Sequence, residues 1–263
     1  VTLETRVGLI DTDDNRFRGH AVFADLAARL RSPADAAALA LGTRLPDDDD
    51  REAWRIVTVC LLSPDARVWP VKLCRLLSSW GDPVVGFYGA QLVTASRIMG
   101  PGATAGCAAA VAAVRAAAPD GDVDLVAAAL DAVLARTGGR LQGFGVPFRA
   151  EDERWLAMQR FVAGTALAER PHWRLVAPIV AAMARRSPAR PNMVLGMSAL
   201  LLDAGVPPER CGLAAAVCMT PVFGGHAVEA AELDGAALFE LPADAVDYRG
   251  VPPRARPTPK SEW

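Results

Sequence analysis

The chain has 263 residues, 52% of them hydrophobic, so it can bury one large core or two small ones, and disorder is excluded as its main state. Its 28 Lys and Arg against 30 Asp and Glu give a formal net charge of −2. That balance offers no general attraction to nucleic acid or anionic lipid and makes a polyanion partner a poor expectation.

Near the start, Val7-Gly8-Leu9-Ile10 and Arg16-Phe17-Arg18 flank the turn-forming run Asp11-Thr12-Asp13-Asp14-Asn15, which predicts a small hairpin. Helical patterns follow over 22–30, 33–41, 51–62 and 68–79, broken at Ser32-Pro33, Gly42, Ser63-Pro64 and Gly81-Asp82-Pro83. The run Asp47-Asp48-Asp49-Asp50 reads as a solvated loop or a helix N-terminus, where the backbone dipole favours anions, with metal binding the minor alternative. Further helices are predicted over 84–98 and 103–118. After Asp122, a candidate N-cap, Val126, Leu130, Val133 and Leu134 share one helical face, and Gly138 stands where a C-terminal glycine ends a helix. The spans 151–163, 173–186, 193–204 and 208–222 complete the series. The reading is an all-α protein, with alanine-rich stretches such as 108–113 allowing close helix packing. The tail from Val251 carries four prolines in nine residues and is expected to run extended over the surface.

Five cysteines, Cys60, Cys74, Cys107, Cys211 and Cys218, are an odd number without a C-x-x-C pair, which suits buried thiols in a reducing compartment. The N-terminal residues lack a basic start and an apolar run, and no segment reaches the roughly 20 uncharged apolar residues of a membrane helix. A soluble, cytoplasmic protein without membrane or nucleic-acid partners is expected. Motifs are sparse: there is no phosphate-binding glycine loop and no zinc spacing, and His20, His172 and His226 have no partner at ligand spacing.

Several segments in order nevertheless resemble the citrate synthase superfamily, and in compactness its citryl-CoA lyase-like members. Ile10-Asp11 with Arg16-Phe17-Arg18-Gly19-His20-Ala21-Val22-Phe23-Ala24-Asp25-Leu26 is similar to the family's hairpin and its Y-R-G-Y-x-I-x-D-L segment. Leu41-Gly42-Thr43-Arg44-Leu45-Pro46 resembles L-x-G-x-L-P. Gly143-Phe144-Gly145-Val146-Pro147 stands where the family has G-F-G-H-P, followed by Asp152-Glu153-Arg154 at D-P-R. Pro191-Asn192-Met193-Val194 falls on P-N-V-D, Gly224-Gly225-His226-Ala227-Val228-Glu229 on V-G-H-x-x-E, and Tyr248-Arg249-Gly250 on a C-terminal Y-x-G. The resemblance implies a large helical domain (1–107 and 191–263, the latter with the C-terminal tail), an inserted small helical domain (108–190), and a short N-terminal β-hairpin. It also implies a homodimer with its active site in the interdomain cleft.

The departures bear on function. In the family, an aspartate deprotonates the carbon beside the thioester, one histidine donates to the enol oxygen and another polarises the keto acid. Here Val146 occupies the G-F-G-H histidine position, Val194 the P-N-V-D aspartate position, and Ala103 the region of the H-G-G-A histidine. Met219 stands at the arginine of A-R-x-V-G. Valine has no ionisable proton, so the family's usual mechanism cannot run on these side chains.

The resemblance leaves Ala103, Val146, Phe148, Arg149, Asn192, Val194 and Met219 as candidate substrate-binding positions. His226 is the candidate catalytic residue, either binding a substrate carboxylate or carbonyl from a Gly224-Gly225-His226 turn or buried against a backbone carbonyl. Arg149 could meet a CoA phosphate or solvent. Asp152 and Arg154 are expected to form a structural ion pair, and Asn192 to cap the helix that begins at Met193. No cofactor and no metal are expected, with a CoA thioester as candidate substrate. The readings are a diverged lyase or acyltransferase-like enzyme, a silent partner that pairs with an active homologue or senses a metabolite, and a helical interaction protein.

Overall fold

The computed structural model describes residues 3–42, 44–62, 65–95, 100–146, 150–233, 243–245, 247, 249 and 250. Phe148, Arg149, Tyr248 and the tail from Val251 lie outside these. The predicted hairpin is present but gains a third strand: β1 (Gly8–Leu9), β2 (Arg16–Phe17) and β3 (His20–Ala21) pair antiparallel in the order β1-β2-β3. Arg18 and Gly19, both at positive φ, make the second turn. A π-helical turn, Val22–Leu26, then leads into α1 (Ala27–Arg29).

The helices start on polar caps and N-terminal prolines, as their sequences dictate. Ser32 and Pro33 open α2 (Pro33–Leu41). The aspartate run proves to be the first turn of α3 (Asp48–Leu61), which begins three residues before the predicted start. Asp47 and Asp50 exchange side-chain-to-backbone hydrogen bonds in a capping box. Helices α4 (Trp69–Ser78) and α5 (Pro83–Thr94) form an antiparallel pair, the second capped by Asp82. Next come α6 (Pro101–Ala117) and α7 (Val123–Arg136), the latter capped by Asp122. Its expected face is buried at Val126, Leu130 and Val133, and Gly138 and Gly139 at positive φ end it as predicted.

Asp152 caps α8 (Glu153–Val162). Two 3-10 turns, Ala166–Glu169 and Trp173–Leu175, lead into α9 (Val176–Ala184), and α10 (Met193–Asp203) and α11 (Cys211–Ala231) follow. The last runs nine residues beyond its predicted end.

One apolar core joins α3, α6, α7, α8, α9, α10 and the first half of α11, with α10 buried from Leu195 to Asp203. A second, smaller core of Val71, Cys74, Ala90, Val222, Phe223 and Ala227 joins α4, α5 and the second half of α11. With its preceding turn, α11 forms a helix over Pro208–Ala231 that is long and apolar enough to cross a membrane by length and composition, contrary to the sequence expectation. It packs on α3, α4, α5 and α6, however, as a core helix does. The five cysteines are buried and free.

Candidate functional site

The segment ending at Val146 and the entry to α10 are stitched together. Phe144 pairs with Pro191 in an antiparallel bridge, the Gly145 N–H donates to the Arg190 carbonyl at 2.7 Å, and the Asn192 N–H donates to the Gly143 carbonyl at 2.9 Å. The Asn192 side chain closes the unit: its Nδ2 donates to the Gly145 carbonyl at 2.9 Å, and its Oδ1 accepts from the Val194 N–H at 3.0 Å. Asn192 is therefore the expected cap and, in addition, a clamp on the loop that presents Val146. Gly143, at φ +93, is required where it stands, because a Cβ there would lie 2.9 Å from the Cys107 sulfur and 3.1 Å from the Leu195 Cβ. The loop is thus wedged between α6 and α10.

Ala103 is buried in the first turn of α6, one turn before Cys107. The neighbouring Thr104 carbonyl accepts from Ser198 Oγ of α10 at 3.3 Å. Val194 and Met219 are half-buried against the main core, and Met219 also touches the second one. Four of the predicted positions, Ala103, Val146, Asn192 and Val194, therefore lie on three elements that pack directly on one another. Met219 comes from α11, which crosses α6 so closely that a Cβ on Gly212 would lie 2.5 Å from the Pro101 carbonyl oxygen.

His226 is placed differently from the expectation. Gly224, Gly225 and His226 are not a turn but lie inside α11, because Phe223, Ala227 and Ala230 continue its buried face. His226 stands seven residues beyond Met219, roughly 10 Å along the helix. Its side chain is only 12% exposed, and its Nδ1 is 3.2 Å from Nη1 of Arg75 on α4. Arg75 also pairs with Glu229 at 2.5 Å. A guanidinium only donates, so in this contact the Nδ1 lone pair accepts. Sequence reading did not anticipate Arg75, since nothing in the motif spacing links α4 to the end of α11.

A second residue undervalued by the sequence is Asp152. Its Oδ1 accepts from the Arg154 backbone N–H at 3.0 Å and from Nε at 2.9 Å, while its Oδ2 accepts from Arg154 Nη2 at 3.0 Å and from the Met193 N–H at 3.1 Å. The expected ion pair is present and also pins α8 to the start of α10. Burial pushes this carboxyl up, but the Arg154 guanidinium and the two backbone donors outweigh it and hold the group below the ordinary carboxylate range. A carboxylate with four donors and a lowered pKa is a poor general base, although it holds the N–H of Met193, the residue before Val194. Burial likewise pushes the Cys107 thiol up to about 12, which removes it as a nucleophile at neutral pH. Among the described residues no cluster of His, Cys, Asp and Glu could hold a metal ion.

Two cavities lie elsewhere. One, of about 800 Å³, is bounded by the hairpin and the π-helical turn, with Leu9, Phe17 and Phe23 in its wall. The other, of about 580 Å³, lies between α8 and α9. None of the candidate positions lines either.

The architecture matches known structures over nearly its whole length. Citryl-CoA lyase from Hydrogenobacter thermophilus superposes with a TM-score of 0.77 at 18% identity, covering 97% of both chains. The fold is citrate synthase-like.

ATP citrate lyase from Methanothrix soehngenii, solved with citrate and coenzyme A, gives a TM-score of 0.74 at 13% identity; the match covers 95% of this chain and 42% of that one. Citrate synthase from Thermoplasma acidophilum, solved with carboxymethyl coenzyme A and oxaloacetate, gives 0.60 at 14% identity over 86% of this chain and 58% of that one. No protein-family model and no curated protein matches the sequence. The citrate synthase-like fold accords with the segment order read from the sequence.

Proposed function

We propose that this chain is a diverged enzyme that uses the citrate synthase-like fold for carbon–carbon bond or related chemistry on a thioester or a more apolar acyl substrate, without a His/His/Asp set. The observation that carries the reading is the clamp of Asn192 on Gly145. In this reading the clamp is what would position a catalytic pair, and it stands beside two hydrocarbon side chains, Val146 and Val194. In this reading Ala103, Val146, Val194 and Met219 would edge the substrate site, which favours an apolar acyl group and gives no charge to a di- or tricarboxylate. Rate acceleration then rests on positioning and exclusion of water, with His226 the candidate polar contact, which suits bond cleavage or decarboxylation better than abstraction of a methyl proton. The cleft between a 108–190 domain and the rest of the chain, a bound CoA thioester and a cytoplasmic, soluble setting belong to the same proposal.

The test is calorimetric titration with acyl-CoA thioesters together with a thiol-release assay. Saturable binding, turnover of an acyl-CoA and no condensation of acetyl-CoA with oxaloacetate are expected. Condensation by the purified chain would overturn the reading. The double variant Val146→His, Val194→Asp is expected to stay inactive in condensation, because Ala103 and Met219 still lack their polar counterparts.

The silent-partner reading is favoured by one observation: burial pushes the Cys107 thiol beside the loop up to about 12, which leaves it no proton-transfer role at neutral pH. Binding without turnover of any acyl-CoA would select it.

We further propose that two copies pair through α5. Val84, Val85, Tyr88 and Leu92 fall on one face of that helix and are exposed, Tyr88 at 61% and Leu92 at 78%, while its other face packs on α4 and α11.

A further inference from the structure

The 580 Å³ cavity between α8 and α9 is built around two tryptophans. Trp155 of α8 and Trp173 of the 3-10 turn stand with ring centroids 6.3 Å apart and planes tilted by 38°. Their six-membered rings both abut Gly196 of α10, where an added Cβ would lie 3.0 Å from Cζ3 of Trp155 and 3.1 Å from Cζ3 of Trp173. In indole, Cζ3 lies opposite the N–H, so both pyrrole edges point away from the core helix, and both rings line the cavity. The ring spacing is too small for a third ring to slide between the two, which leaves an outer indole face as the stacking surface.

The rim is polar and carries both signs. Gln159 comes from α8, Glu169 from the first 3-10 turn and Arg174 from the second, and all three line the cavity. Among the described residues neither the Glu169 carboxylate nor the Arg174 guanidinium has an ion-pair partner, although the neighbouring Arg170 is joined with Arg44, Asp47, Asp49 and Asp50 in such pairs. Ala177 of α9 keeps the wall shallow.

Trp173 is held firmly for this role. Asp203, buried at the end of α10, accepts from the His172 N–H at 2.9 Å, from its Nδ1 at 2.8 Å and from the Trp173 N–H at 2.9 Å.

We propose that this cavity is a binding site for an aromatic α-amino acid, separate from the Val146–Val194 region. The ring stacks on indole, Arg174 takes the carboxylate through paired N–H donors, and Glu169 takes the ammonium. One charge of each sign beside an aromatic floor selects a zwitterion over a simple aromatic acid or amine.

The probe is L-phenylalanine, which does not mask tryptophan fluorescence. Titration of the full chain is expected to change tryptophan emission saturably, with matching heat in calorimetry. Phenylacetate and phenethylamine, each lacking one charge, are expected to bind about tenfold or more weakly. Arg174→Met and Glu169→Gln, both at exposed positions, are expected to keep the far-UV circular dichroism and to weaken L-phenylalanine about tenfold each. No saturable response at millimolar L-phenylalanine, phenylacetate binding as tightly as the amino acid, or full affinity in both variants would overturn the proposal.

Discussion

Two buried carboxylates, Asp152 and Asp50, differ in how far their partners offset burial. At Asp50, burial outweighs the Asp47 N–H and the Arg44 guanidinium and raises the pKa, so its ionised form costs folding stability at neutral pH and acid relieves that cost. At Asp152 the donors win and the pKa is lowered, so its contribution is present above the ordinary carboxylate value and lost as the pH falls through the depressed one. Asp152→Asn is therefore expected to cost roughly 2 kcal/mol at neutral pH. The gap to the unaltered chain should close on acidification below about pH 4. Urea unfolding across pH checks both; a gap that stays constant into acid would assign the cost to shape instead of charge. Gly196→Ala tests packing at the same scale. The new methyl would lie 2.6 Å from the Met158 sulfur and against both indoles. Overpacking of about 1–3 kcal/mol should outweigh the roughly 1 kcal/mol that alanine adds to a helix interior. A lowered unfolding midpoint with altered near-UV circular dichroism is the expected result.

The caps that open several helices were legible. Ser32, Asp82, Asp122, Asp152 and Asn192 each accept from a backbone N–H of the following turn, and that chemistry is local enough to read from sequence. The end of α11 was not legible, because Gly224-Gly225 suggests a turn while the face formed by Phe223, Ala227 and Ala230 keeps the helix going against α4. Tertiary packing there overrides a propensity cost of about 1 kcal/mol per glycine. The same helix contains Pro221, which removes the N–H that would have bonded the Val217 carbonyl. Thr220 Oγ1 donates to that carbonyl at 2.7 Å in its place. Thr220→Val is expected to destabilise by about 1 kcal/mol. In a Pro221→Ala background, where the amide is restored, the same change should cost little. Equal losses in both backgrounds, measured by denaturant unfolding, would remove this account of how the helix passes its proline.

At the scale of the molecule, the order of short segments carried the fold, since the motifs at Gly42, Gly143–Gly145 and Asn192 mark turns or caps. The clamp from Asn192 to Gly145 and the wedge of Gly143 between α6 and α10 follow from that order. The Arg75–His226 contact does not, because it joins elements far apart in the chain, and the two-tryptophan cavity does not, because its lining on α8, the 3-10 turns and α9 follows no motif spacing. The exposed face of α5 is the remaining large-scale feature. A helix pinned on one side to α4 and α11 and bearing Val84, Val85, Tyr88 and Leu92 on the other keeps substantial apolar surface in water. Covering it with the same face of a second copy gives a self-complementary, closed arrangement. Such an interface needs at least roughly 1,200 Å² of buried surface, so the neighbouring exposed Trp80 is expected to join it. Light scattering after size exclusion should give twice the 27.7 kDa chain mass. Leu92→Glu with Tyr88→Glu should give the single mass with unchanged far-UV circular dichroism, because neither side chain is needed for the fold of one copy. A monomeric unaltered chain at micromolar concentration, or a charged variant that stays dimeric, would move the interface away from α5.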